Sequence, residues 1–203
     1  MKLYYAPGAC SMAPHIVATE AGQKLDLVKV DIPNKKTESG EDYWKINPKG
    51  YVPALVLDNG DVITEVAVIC QFIADQHPES RLASPLGSLE RYHEMSALNF
   101  AATEVHKQLG ALFNPALTPE MRTVQIATIG RRLNALEQML TDRSYIMGER
   151  FTAADAYLFT VLNWTGHFKI DVSQWPNIQN YIARVGAREN VRKVMIEEGL
   201  IKQ

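Results

Sequence analysis

Over its first 80 or so residues the chain changes hydrophobic period again and again, as alternating strands and helices do; beyond that it keeps helical spacing almost to the end. Leu3 to Tyr5 reads as a strand, Met12 to Ala21 as a helix, and Asp26 to Asp31 as a second strand carrying Leu27, Val28 and Val30. A polar loop with Asn34, Lys35 and Lys36 leads to a short helical piece near Asp42 to Lys45. Val52 to Leu57 and Asp61 to Thr64 flank Asp58-Asn59-Gly60, and Asn-Gly between apolar runs is a strong hairpin signal. A helix follows, with Ile69, Phe72 and Ile73 as its buried stripe. The predicted order is βαβαββα.

His77-Pro78-Glu79-Ser80 ends that helix and Ser84-Pro85-Leu86-Gly87 adds a second breaker. Helical spacing then runs over about 88–113, 119–141, 153–166, 175–187 and 191–198, interrupted by Asn114-Pro115, Thr118-Pro119, Met147-Gly148 and Trp175-Pro176. The expected organisation is an α/β domain over 1–78, a linker over 79–87 and an all-α domain over 88–203.

Composition narrows the function. A hydrophobic fraction of 46% and a charged fraction of 22% are those of a globular protein. A net charge of -2 without a Lys/Arg block offers no footprint for nucleic acid or an anionic membrane. The expected partner is a small molecule or another protein. Two cysteines, Cys10 and Cys70, make no disulfide framework, and no Cys/His spacing resembles a metal site. No apolar run approaches the roughly 20 residues that span a bilayer, and the N-terminal apolar stretch reaches Pro7 and Gly8 too soon for a signal peptide. The expected location is the cytoplasm.

Cys10 follows the first strand and a turn through Pro7 and Gly8, and it heads the first helix. Backbone N–H groups and the helix dipole favour a thiolate at such a place. From position alone, a reactive thiol and a buried core cysteine are equal readings. Cys70, in mid-helix between Ile69 and Gln71, reads as inert packing.

The ordered set of features resembles the glutathione transferases: a strand–turn–Cys10–helix opening, Val52-Pro53 before a strand, Glu65 opening the next helix, and a helical second half. The stretch Tyr5-Ala6-Pro7-Gly8-Ala9-Cys10-Ser11 is similar to the bacterial beta class in particular. The likeness spans the whole chain, including Asn47-Pro48-Lys49-Gly50-Tyr51-Val52-Pro53-Ala54-Leu55 and Phe151-Thr152-Ala153-Ala154-Asp155-Ala156-Tyr157.

The resemblance implies a thioredoxin-like first domain that binds glutathione. It makes Pro53 a cis proline, although cis is found at only about 5 to 6% of X-Pro bonds, and it gives the backbone of Val52 to the cysteinyl part of glutathione. Glu65, which taken alone reads as a charge complementing a helix dipole, meets the γ-glutamyl amino group, and the Val66 N–H meets the neighbouring carboxylate. Many relatives carry Ser where this chain has Val66, so one hydroxyl contact is absent while the backbone donor remains. Lys35, an ordinary solvated lysine by position, matches the cation for the glycine carboxylate. Asn99, Thr103 and His106 stand at i, i+4 and i+7 on one helical face with Glu104 and Lys107 beside them. That stripe reads as a solvent face by itself. By resemblance it faces a cleft between the domains, with His106 reaching the glutathione sulfur and Cys10. Thr152 and Asp155 match a capping box and are assigned to folding.

These implications add up to a homodimeric glutathione transferase that joins glutathione, a co-substrate with no further cofactor, to electrophilic apolar compounds. Cys10 would be able to run monothiol disulfide exchange as well. The alternatives are a glutathione-dependent thiol-disulfide oxidoreductase and a non-catalytic binding or regulatory protein on the same scaffold.

Overall fold

The computed structural model describes residues 1–202. By their contacts they form two units: Met1–Ala83 together with the chain from Arg188 on, and Ser84–Ala187.

The first unit is built on a five-stranded mixed sheet in the order β3-β2-β1-β4-β5. Its strands are β1 (Lys2–Tyr5), β2 (Asp26–Asp31), β3 (Lys36–Thr37), β4 (Ala54–Val56) and β5 (Val62–Thr64). β1 runs parallel to β2, with Leu3 opposite Leu27, and antiparallel to β4, with Leu3 opposite Leu55. The crossover between β1 and β2 is helix α1 (Met12–Glu20), whose residues Met12 to Ala18 are all buried. Asn59 and Gly60 make the predicted turn between β4 and β5, with Gly60 at φ 90° and Asn59 bonded through its side chain to Asp61. Helix α2 (Val66–Gln76) buries Ile69, Cys70 and Ile73 and leaves Phe72 half-buried.

Two details depart from the sequence reading. The polar loop after β2 contributes the two-residue strand β3, paired to β2 through Val30 opposite Thr37. The second helix of the predicted order is a single 3₁₀ turn over Tyr43–Lys45, capped by Asp42, whose side chain accepts the Trp44 N–H at 3.1 Å. One turn suffices because only Tyr43 of its residues is buried.

The second unit contains helices α3 (Leu89–Phe100), α4 (Lys107–Gly110), α5 (Pro119–Met139), α6 (Ala153–Leu162), α7 (Trp164–His167) and α8 (Pro176–Gly186). Between α3 and α4 the chain winds as a π-helix over Ala101–His106. Helix α6 is buried along its whole length, which accounts for a sequence apolar on every face. Asp155 starts it. One carboxylate oxygen accepts from the Ile146 N–H (2.8 Å) and the Tyr181 hydroxyl (3.0 Å), the other from the Thr152 N–H (2.8 Å) and hydroxyl (2.9 Å).

Helix α9 (Glu189–Glu197) closes the chain. The pattern reading places it in a domain over 88–203, whereas its contacts group it with the first unit. Arg188 pairs with Glu20 at 2.8 Å, and His15 bonds to both Glu197 and Glu198. Among the described residues no helix is long and apolar enough to cross a membrane.

Candidate active site

The turn from β1 into α1 is held by its own backbone and by Ser11. The N–H groups of Ala9, Met12 and Ala13 bond to the carbonyls of Ala6, Ala9 and Cys10, and the buried Ser11 hydroxyl bridges the N–H and C=O of Ala6 at 3.1 and 3.2 Å. Cys10 therefore sits one residue before the cap rather than on the helix, and is partly exposed. Its thiol donates to the Val52 carbonyl at 3.3 Å. The Val52–Pro53 peptide bond is cis, as the resemblance implies.

Three successive carbonyls ahead of Pro53 each accept from a side chain. The Lys35 ammonium donates to Gly50 at 2.7 Å, Tyr43 and Asn47 donate to Tyr51 at 2.8 and 2.7 Å, and Cys10 donates to Val52. On the other side of this strip, the Val52 N–H has no hydrogen-bond partner among the described residues. Lys35 also lies over the rings of Trp44 and Tyr51, 5.6 and 5.7 Å from their centroids. Gly50 is required here: its φ is 66°, and a Cβ would come within 2.6 Å of the Trp44 ring.

Glu65 follows β5 and caps α2 with φ 71° and ψ 123°, a conformation that a non-glycine residue holds only under strain. Its carbonyl accepts the N–H groups of Val68 and Ile69, which leaves the N–H of Val66 at the open end of the helix. The exposed Glu65 carboxylate pairs with Lys49 at 2.7 Å. Burial pushes the Cys70 thiol far above the usual thiol range, in keeping with inert packing.

In the second unit the structure separates the stripe that α-helical spacing puts on one face. Asn99, Thr103 and Lys107 are exposed, and the Thr103 hydroxyl donates to the Asn99 carbonyl at 3.0 Å. Glu104 is bound by Arg132 at 2.6 Å. His106 turns to the aromatic interior, with Nδ1 2.6 Å from the Tyr157 hydroxyl and its ring edge-on to Trp164 at 5.0 Å. The π-helix is the physical reason, since its wider turn shifts every later residue out of α-helical phase. Phe113 continues the cluster, packing on Trp164 at 5.2 Å and on Phe168 at 4.6 Å. A cavity of about 530 Å³ lies elsewhere in this unit, lined by residues of α5 and of 168–175, and includes none of the expected site residues.

Sequence reasoning misses Tyr43, Asn47, Lys49 and Tyr157. For Asn47 a signal exists: Asn before Pro and Lys makes an Asx turn, realised as the Lys49 N–H on Asn47 Oδ1 at 3.1 Å. For Tyr157, one aromatic in an apolar helix, there is none. Among the described residues no cluster of three or more His, Cys, Asp or Glu could hold a metal ion.

Comparison with known proteins places this geometry in context. Residues 3–81 match the family model of the glutathione S-transferase N-terminal domain and residues 100–189 that of the C-terminal domain. The glutathione S-transferase GstA of Escherichia coli O157:H7 is 42% identical over 98% of this chain and 100% of its own. A solved sphingomonad glutathione S-transferase complexed with glutathione is similar at TM-score 0.95 and 41% identity, covering 99% of this chain and 100% of the other. The bacterial beta-class glutathione S-transferase of Sphingomonas chungbukensis is similar at TM-score 0.95 and 42% identity with the same coverage.

Proposed function

The chain belongs to the glutathione S-transferase family, in its bacterial beta class, and is a transferase; we propose that it binds reduced glutathione on the first unit and conjugates it to small electrophilic apolar compounds. The observation that carries the assignment of the site is the placement of the Cys10 thiol on the Val52 carbonyl, 3.3 Å away, at the residue whose own N–H has no partner among the described residues. An extended thiol peptide laid along that edge pairs its cysteinyl backbone with Val52 and brings its sulfur toward Cys10. Val66 N–H and Glu65 receive the γ-glutamyl carboxylate and ammonium, and Lys35 the glycine carboxylate. The glutathione ammonium then competes with Lys49 for Glu65, an exposed pair of small strength.

By the same family likeness His106 serves the glutathione sulfur, while Asn99, Thr103 and Lys107 on the exposed face and Glu104, paired with Arg132, stand apart from its aromatic contacts. The ring contacts of His106, Tyr157, Trp164 and Phe113 support an apolar wall for the electrophile. In conjugation the glutathione thiolate forms a carbon–sulfur bond, the electron pair of the broken bond departs with the leaving group, and the thiol proton passes to a base or to water.

Cys10 adds a second reaction. Its thiolate attacks one sulfur of oxidised glutathione, forms a Cys10–glutathione mixed disulfide and expels glutathione as thiolate. A sequence with two cysteines and no disulfide framework suits a reducing compartment, which supports a cytoplasmic location. Family membership supports a homodimer, expected to sediment at twice the 22.7 kDa chain mass. The deciding experiment compares conjugation of an aryl halide with reduction of a glutathione mixed disulfide on one preparation. Dominant conjugation is the expected result; disulfide reduction without conjugation overturns the transferase reading.

A further inference from the structure

Two hydrogen bonds at the strip before Pro53 converge on one atom. Tyr43 Oη and Asn47 Nδ2 both donate to the Tyr51 carbonyl oxygen, at 2.8 and 2.7 Å. Tyr43 is fully buried and Asn47 is 2% exposed, whereas Tyr51 itself is 70% exposed. Two donors saturate the two lone pairs of a carbonyl oxygen. The buried groups thus grip not the side chain of an exposed residue but its peptide plane, and the other end of that plane is the Val52 N–H.

Neither donor is free to wander. The Tyr43 ring packs on Tyr4 at 5.7 Å within a cluster that includes Ala6, Val30, Val52 and Ala54. The Asn47 amide is oriented from both sides, since Oδ1 accepts the Lys49 N–H while Nδ2 reaches Tyr51. Asn47 and Tyr43 are also joined by the backbone, the Asn47 N–H bonding to the Tyr43 carbonyl at 2.9 Å.

We propose that Tyr43 and Asn47 are positioning residues of the thiol site: by gripping the Tyr51 carbonyl together they fix the Tyr51–Val52 peptide plane and aim the Val52 N–H at the cysteinyl carbonyl of the bound thiol peptide. This rests on the glutathione reading above. A peptide whose carbonyl accepts two hydrogen bonds is polarised and donates more strongly through its own N–H. Fixing the plane also removes the ordering that an unrestrained loop peptide undergoes on binding. Neither residue touches glutathione in this assignment, so both act only through the peptide.

The test uses Tyr43→Phe, which removes a single hydroxyl from a packed ring, and Asn47→Ala. Binding is measured for glutathione and for γ-glutamylcysteamine, an analogue that keeps the thiol and the γ-glutamyl end but lacks the cysteinyl carbonyl. Each variant is expected to weaken glutathione about threefold to tenfold and to leave the analogue within twofold, with KM for glutathione rising and kcat holding. Equal weakening of both ligands, or of neither, overturns the proposal. In the ligand-free protein the Val52 amide proton should move upfield in both variants, and an unmoved resonance also overturns it. A parent protein that binds neither ligand refutes the glutathione reading instead, and the amide resonance then judges the grip alone.

Discussion

His15 and Glu198 stand 183 positions apart and meet at 3.0 Å, Nδ1 of the ring against Oε1 of the carboxylate. The Glu198 side chain is fully buried, and its second oxygen accepts the Gly8 N–H at 2.8 Å. The other ring nitrogen of His15 faces Glu197 at 3.1 Å. The end of α9 thereby holds the turn that presents Cys10, and Leu200 packs so closely that a Cβ on Gly8 would lie 3.1 Å from it.

Glu198→Ala is expected to lower stability by about 2 to 5 kcal/mol, because it takes the Glu198 carboxylate from a buried imidazole and from the part-buried Gly8 N–H. Glu198→Gln keeps an oxygen for Gly8 and should lose less than half as much. Denaturant unfolding of the three proteins checks this, and an unchanged midpoint for Glu198→Ala would show that the contact contributes nothing.

Asp155 yields a pH dependence of defined sign. Burial, the largest influence, pushes its carboxyl up from 3.8 to about 6 against the hydrogen bonds from Ile146, Thr152 and Tyr181. A carboxyl raised in the folded state binds a proton there that the unfolded chain has released. Its contribution to stability is thus full below pH 4, declines as pH rises toward 6, and totals on the order of 3 kcal/mol. Stability measured between pH 4 and 7 should fall in the parent and fall less in Asp155→Asn. Equal slopes would place the carboxyl in its ordinary range. Asp155→Ala, which strands several buried donors, should destabilise by about 3 to 5 kcal/mol while activity per folded molecule persists.

Glu65 and Lys49 separate a ligand contact from a surface ion pair. Their side chains are 66% and 54% exposed, so the pair itself adds little to stability. Glu65→Ala should weaken glutathione at least tenfold, Val66→Ser should change it less, and Lys49→Ala should leave it unchanged or slightly tighter because a competitor for the carboxylate is gone. Calorimetric titration measures all four proteins. Parent-like binding by Glu65→Ala would show that the γ-glutamyl end lies elsewhere.

The sequence made visible what depends on neighbours along the chain. The Asn59-Gly60 turn, the Thr152–Asp155 cap and the apolar run of α6 are local signals, and each appears where the pattern puts it. What escaped it depends on contacts between distant positions. The partners of Glu198, at Gly8 and His15, carry no mark in the sequence, and so α9 reads as one more helix of the second half. The face of Asn99, Thr103 and His106 escaped for another reason: a π-turn changes the phase within a helix, and periodicity assumes that the phase is constant. Tyr43 and Asn47 escaped because they act on a backbone carbonyl, a target that side-chain patterns do not mark.

Cys10 and Cys70 give the sharpest chemical contrast, being the two thiols of one chain in opposite settings. Cys70 is completely buried in α2, and its thiol is held protonated far above neutral pH, so neither oxidant nor thiolate chemistry reaches it. Cys10 is partly exposed at the end of a turn, and its hydrogen bond to the Val52 carbonyl aims the sulfur along the edge assigned to glutathione. Oxidised glutathione should therefore add one glutathionyl group, at Cys10, and leave Cys70 largely unmodified. Cys10→Ala should abolish disulfide exchange, since the remaining thiol is sealed in the core. Conjugation should survive in part, because glutathione brings its own sulfur and the Val52 N–H does not depend on the Cys10 side chain. Peptide mass spectrometry after oxidation, with both assays run on the variant, separates these outcomes. An adduct on Cys70, or full exchange activity in Cys10→Ala, would mean that the wrong thiol had been assigned.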